Sequence, residues 1–344
     1  MGETVESIII QIAILFLMMI PGVLLKKCNL ISDGFGKGLS NLVLYIAQPA
    51  LVFMAYVREY DKEILINSLY VFVLSIIVHA IFSVVALGCF RKSPDARQRM
   101  LRFATIFSNA AFMGIPLIAA VLDNPQNAAS YFPGSTLYAS IYNITFNLFL
   151  WSLGVYICTN DKDRNNNGVE DHIDELKGGV SPKSGSSLMK AIVHPVTIAA
   201  LVGLVFFILP IDTVITKDVA FIGDAFTKLA NLVAPLSMMV IGLRIADIDL
   251  HGIFKDKDMY LFLALRHILL PLATVGIIRL VMLTSLDISP AVYRVVVIMA
   301  SAPAATSATM FAEKYDCDAA YVSRLVVIST LLSIATMPLM LLLV

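Results

Sequence analysis

The sequence predicts an all-α membrane protein of ten transmembrane helices, built as two inverted five-helix repeats with the fourth and ninth helices broken. Three observations carry that prediction: ten apolar runs, a Lys and Arg bias that alternates from loop to loop, and one long polar segment that divides five runs from five. The 344 residues are 58% hydrophobic and 15% charged, with a mean hydropathy of +0.84. A soluble domain carries about 25% charged residues, so the expected partner of this surface is the lipid bilayer. Formal net charge is zero, and the composition points to no nucleic-acid partner.

The runs fall at 8–25, 39–57, 64–90, 102–122, 136–158, 189–209, 226–244, 258–284, 291–312 and 321–344. Each approaches the roughly 20 residues that a helix rising 1.5 Å per residue needs to span. The first is read as a retained span. Its flank "MGETVES" holds Glu3 and Glu6 where a secretory signal has basic residues, and no cleavage site follows before Lys26.

Charge sets the expected orientation. Loops after the odd-numbered spans hold 17 basic residues, among them Lys26, Arg91, Arg97, Lys162, Arg244 and Lys314, while the opposite loops hold Arg58, Lys62 and Lys217. The positive-inside rule then places both termini outside a cell (plasma) membrane and the 159–188 linker in the cytoplasm. Cys28, Cys89, Cys158 and Cys317 fall at the cytoplasmic ends, where thiols stay reduced and no disulfide is expected.

The segment "TNDKDRNNNGVEDHIDELKGGVSPKSGSS" separates a first repeat, 1–158, from a second, 189–344. An odd number of crossings per half requires opposite orientations if the halves share a fold. "LSNLV" at 39–43 recurs as "LANLV" at 229–233, a modest internal echo. Within the linker, "DRNNNGVEDHID" (163–174) follows the D-x-N-x-N-G calcium-loop pattern but ends on Asp and has no partner loop. It is read as a solvated linker, and neither a metal nor a cofactor is expected.

The fourth span contains "SNAAFMGIPLI" (108–118), with Asn109, Gly114 and Pro116; the ninth contains "ASAPAATSATMF" (300–311), with Pro303 among small and hydroxyl side chains. Proline removes a donor and frees a carbonyl one turn back, and small residues let another backbone approach. Gly114 with Pro116, and Pro303, are therefore expected to open their helices near mid-membrane. One such break is an ordinary kink. Two in corresponding spans point to a binding site.

Opened helices present half-helix N-termini, which favour an anion. Asn109 offers amide donors, and Ser301, Thr306 and Ser307 offer hydroxyls, which otherwise bond back to their own helix. Asn143 and Asn147 share one face of the fifth span, either lining the path or clasping a neighbour, and Gln48 precedes Pro49 in the second. Arg266 lies deep in the eighth span, where it meets a substrate carboxylate, satisfies carbonyls freed by Pro303 or Pro271, or snorkels inward. No Asp or Glu stands in the middle of any span, which leaves His79 and His267 as coupling candidates. The favoured expectation is a uniporter, or a carrier whose proton travels on the substrate acid.

"SNAAFMGIPLI", "APLSMMVIGLRIAD" (234–247) and "SAPAATSATMFAEKYDCDAAYVSRLVVISTLLSIATMPL" (301–339) resemble the auxin efflux carrier family in its prokaryotic branch, distantly related to the plant PIN-formed auxin exporters. The resemblance covers the whole chain. It implies that helices four and nine cross near Pro116 and Pro303, and that helices 1, 2, 6 and 7 form a scaffold on which helices 3–5 and 8–10 move as a transport domain. It also implies alternating access of an elevator type, a homodimer through the scaffold, and an Asn109 that contacts the substrate carboxylate. Family members carry auxin in plants and small organic acids such as malate or malonate in bacteria; the hydroxyl-rich ninth span departs from the plant pattern and points away from auxin. The expected function is thus transport of a small organic anion, with a non-transporting ligand sensor or scaffold as the alternative. An enzyme is not expected, since HExxH, GxSxG and paired intramembrane aspartates are missing.

Overall fold

The computed structural model describes residues 2–32, 34–92, 95–126, 131–159, 193–209, 220–249, 253–284, 286–315 and 317–343. The calcium-like pattern at 163–174 lies outside them. Among the described residues the chain is all helical, and its one β pairing is an isolated bridge.

Among the described residues, besides a single 3-10 turn at Ile253–Lys255, twelve helices follow in order: α1 (Ile9–Lys27), α2 (Phe35–Tyr56), α3 (Lys62–Gly88), α4 (Asp95–Ile106), α5 (Ala110–Val121), α6 (Ser135–Cys158), α7 (Pro195–Ile208), α8 (Ala220–Asp247), α9 (Lys257–Met282), α10 (Pro290–Ser301), α11 (Ser307–Lys314) and α12 (Ala319–Leu341). Seven are long and apolar enough to cross a membrane, and α5, α7 and α10 are shorter apolar helices. The fourth predicted span is short because it is divided into α4 and α5, and the ninth because it is divided into α10 and α11.

Prolines shape several helices without ending them. Wide π turns at Val43–Ala47, Ala110–Gly114 and Leu265–Leu269 each stop two residues before a proline, Pro49, Pro116 and Pro271. A proline ring strikes the carbonyl four residues back. Widening the turn ahead of it accommodates the ring while the helix continues.

Packing separates an interior from a lipid-facing rim. α10 is buried on every side from Val295 to Ser301, and α5 from Phe112 to Ile118. A helix apolar all round belongs inside. Around this interior, Leu17 of α1, Val84 of α3, Val205 of α7 and Leu280 of α9 are exposed, as lipid contact requires.

Two close helix pairs stand out on the rim. In α1 and α8, a Cβ at Gly22 would strike the Met239 carbonyl oxygen, and one at Gly242 would strike the Met19 carbonyl oxygen. The two backbones therefore touch directly, which only small residues permit. In α7 and α2, a Cβ at Gly203 would lie 2.9 Å from the Tyr56 ring.

Candidate functional site

The two divided segments meet at their gaps. α4 ends at Ile106 and α10 at Ser301, and the extended residues that follow run antiparallel through the Ser108–Ala304 bridge. The Asn109 amide donates to the Pro303 carbonyl at 2.7 Å, and the Ala305 amide to the Phe107 carbonyl at 2.9 Å. Each gap thus pairs the backbone groups that the other leaves free, as buried N–H and C=O groups demand. On the α10 side the opening follows from the sequence. Ala302 is extended at φ −59°, ψ 148° because the next residue, Pro303, disfavours the helical conformation.

The first gap lies elsewhere than Gly114 and Pro116. The chain leaves the helix at Phe107–Asn109, and both residues sit in the continuous helix beyond it. The wide turn explains the difference. In π spacing Pro116 would have bonded the Ala111 carbonyl, and that orphaned acceptor takes a hydrogen bond from the Gln48 amide of α2 instead. Gly114 serves close packing: a Cβ there would lie 2.6 Å from the Met299 sulfur of α10.

The helix ends converge on one cation. Arg266, fully buried in the wide turn of α9, donates to the carbonyls of Thr105 at the end of α4 (3.1 Å), Ala300 of α10 (3.0 Å) and Ala302 just beyond it (2.5 and 3.1 Å). Four of its five N–H groups are engaged in this way, and Phe82 of α3 stacks 5.5 Å from the guanidinium carbon. Arg266 has no carboxylate within ion-pair distance among the described residues.

A second tie runs from α12. The Ser329 hydroxyl accepts from the Ala304 amide at 2.9 Å and bonds Nε2 of His267 at 2.8 Å. The Thr336 hydroxyl donates to the Leu332 carbonyl, so it accepts from Nδ1 of His267 at 3.0 Å, which leaves Nε2 to accept from Ser329. Both ring nitrogens are satisfied in the neutral form. His79 differs: its Nδ1 donates to the Ser75 carbonyl at 2.7 Å, its Nε2 has no partner among the described residues, and the ring packs against Tyr142 and Phe149.

Several buried polar atoms of the predicted site residues lack a hydrogen-bond partner among the described residues. Asn109 is 3% exposed and its amide nitrogen has no hydrogen-bond partner among the described residues; the same holds for the Ser301 and Ser307 hydroxyls, Asn143 Oδ1, Asn147 Nδ2 and Gln48 Oε1. Asn143 and Asn147 share a face of α6 with Ser140, which bonds the Tyr56 hydroxyl of α2 at 2.9 Å. Gln48 lies ~12 Å from Tyr56 along α2, and Asn147 ~10 Å from Ser140 along α6. α6 starts beside the end of α2, with Gly134 against Arg58, so the two run antiparallel and bring these amides to one level. Thr306 is buried, and its carbonyl accepts from Arg244 of α8 at 3.0 Å. A cavity of about 580 Å³ opens between α2, α5 and α8, lined by Leu51, Ala55, Ala119, Asp123, Ala234 and, among the predicted site residues, Pro116 alone.

Ser329 and Arg244 were not anticipated. A serine in an apolar helix carries no signal of its long-range partner, and Arg244 reads in sequence as one more positive-inside charge. Ser237 of α8 is likewise new, fully buried with a hydroxyl lacking a partner among the described residues; its sequence signal is only a hydroxyl amid "APLSMMV".

Comparison with known proteins adds two findings. The family described as "Membrane transport protein" matches residues 7–341. A protein of Methanothermobacter thermautotrophicus described as an uncharacterized transporter is 25% identical over 340 residues, covering 98% of this chain and 96% of that one.

Proposed function

Because the chain belongs to the membrane transport protein family, the family of the auxin efflux carriers, we propose that it is a secondary carrier of a small organic anion, a mono- or dicarboxylate, working by alternating access. The observation that carries this reading is the meeting of two broken helices at Ser108 and Ala304, with the side-chain Nδ2 of Asn109 buried beside it and without a hydrogen-bond partner among the described residues. A buried polar group without a partner costs about 1–3 kcal/mol. A carboxylate seated against Asn109, with the Ser301 and Ser307 hydroxyls nearby in sequence to the second gap, would remove that cost.

The architecture assigned here is ten spans in two inverted halves, with the first, second, sixth and seventh as scaffold and the remainder as an elevator-like transport domain. Its support is the pairing of α1 with α8 and of α7 with α2, first with seventh and sixth with second, each through a glycine. The cavity between α2, α8 and α5 lies between the two assigned parts, and the Arg244–Thr306 bond ties them near the basic end of α8. We assign the cavity to the outer face of the plasma membrane and the bond to the inner, with both termini outside and a homodimer formed through the scaffold.

Purified protein in liposomes is expected to move a labelled mono- or dicarboxylate, and Asn109→Ala to lower that flux at least tenfold without lowering the melting temperature. Unchanged flux in the variant refutes the Asn109 assignment. Ligand-dependent thermal stabilisation without any flux identifies a sensor.

A further inference from the structure

We propose that Arg266 is a built-in cation that occupies the place a coupling cation would take, so that the carrier needs no Na+ to close its crossing. The proposal goes beyond the anion-carrier reading and does not depend on which anion is carried. It rests on where the guanidinium sits. Helix C-termini carry the negative end of the helix dipole, and those of α4 and α10 both end at this residue, with the Thr105, Ala300 and Ala302 carbonyls turned to it.

Unwound carbonyls and half-helix C-termini are the ligands with which membrane carriers hold Na+. Here the same kind of oxygen set is filled by a side chain from α9, fully buried and without a carboxylate partner among the described residues. The planar fork suits the arrangement, since Nε and Nη2 both reach the Ala302 carbonyl while Nη1 turns to Thr105 on the other broken segment. One residue therefore ties both gaps and supplies a positive charge that pairs with no acid among the described residues. Three consequences follow: closing the crossing needs no dissolved cation, the charge at the crossing does not vary through the cycle, and the potential there favours an anion throughout.

Removing the side chain should turn a permanent cation into an exchangeable one. Thermal unfolding of the full chain in detergent is followed in sodium, potassium and choline chloride at equal ionic strength. Wild type is expected to melt at one temperature in all three. Arg266→Ala, which leaves the carbonyls around an empty space, is expected to melt about 5–10 °C lower in choline, and to regain at least half of that loss in low-millimolar guanidinium chloride. Arg266→Met, which fills the space without charge, is expected to show the loss without the recovery. Arg266→Lys is expected to lie closer to wild type than to Met.

Specific stabilisation of wild type by sodium overturns the proposal, and this arm holds even where the variants fail to fold. So does an Arg266→Ala protein indifferent to guanidinium, or an Arg266→Lys protein no better than Met. None of these measurements uses an organic anion, so failure here leaves the carboxylate reading standing, and failure of the anion assay leaves this one standing.

Discussion

The two gaps at the crossing reach the same geometry by different routes. At Ala302–Thr306 the chain itself disfavours a helix, because Pro303 biases the residue before it toward an extended conformation. At Phe107–Asn109 nothing covalent forbids one. Ser108 and Asn109 merely compete well for backbone bonds, and the opening is maintained by what it touches: Pro303 through the Asn109 amide, Ala305 through the Phe107 carbonyl, and Arg266 through the Thr105 carbonyl. One gap is written locally and the other is induced by its partner. The induced gap should therefore depend on distant residues more than on its own.

Four substitutions test that contrast. The largest effect is expected for Ser329→Val, which strands both the Ala304 amide and the His267 ring: a loss of about 2–4 kcal/mol in unfolding free energy, from two buried polar groups at about 1–3 kcal/mol each less some relaxation. A variant as stable as wild type would show that proline alone maintains the second gap. Gln48→Leu comes next, at about 1–3 kcal/mol, because it exposes the Ala111 carbonyl that Pro116 leaves unpaired. Restoring an N–H with Pro116→Ala should remove most of that penalty, so the double-mutant cycle is expected to couple the pair by about 1 kcal/mol. Additive behaviour breaks the link between the wide turn and Gln48. The smallest effect, under about 1 kcal/mol, is expected for Pro303→Ala, since the Arg266, Ser329 and Asn109 bonds still hold the opened chain. A large loss would make the proline the principal support after all.

The same contrast explains what could be read from residues alone. Apolar runs, the proline of the ninth span and the pairing of two interrupted segments are local or compositional, and they were legible. Gly114 and Pro116 were expected to mark the first gap because proline is the usual breaker. The chain instead absorbs Pro116 in a wide turn, and Gln48, from a helix 63 positions away in sequence, pairs the carbonyl which that turn leaves free. Arg266 was recognisable as an intramembrane charge needing a partner, but three partners remained open, and only the fold selects the carbonyls of Thr105, Ala300 and Ala302. Ser329 and Arg244 act through contacts 25 and 62 positions distant, for which one sequence has no signal.

The reciprocal contact of α1 and α8 has a mechanical meaning. With Gly22 under the Met239 carbonyl and Gly242 under the Met19 carbonyl, each helix seats an oxygen in the notch of the other. Sliding either helix by about one turn would bring a larger same-face side chain, Met18 or Lys26 in one helix and Met238 in the other, to the place a glycine now holds under a carbonyl. The pair resists translation in both directions while leaving rotation about the contact comparatively free. It behaves as a pivot pin, and any large displacement in this molecule has to be taken up on faces where no glycine is notched.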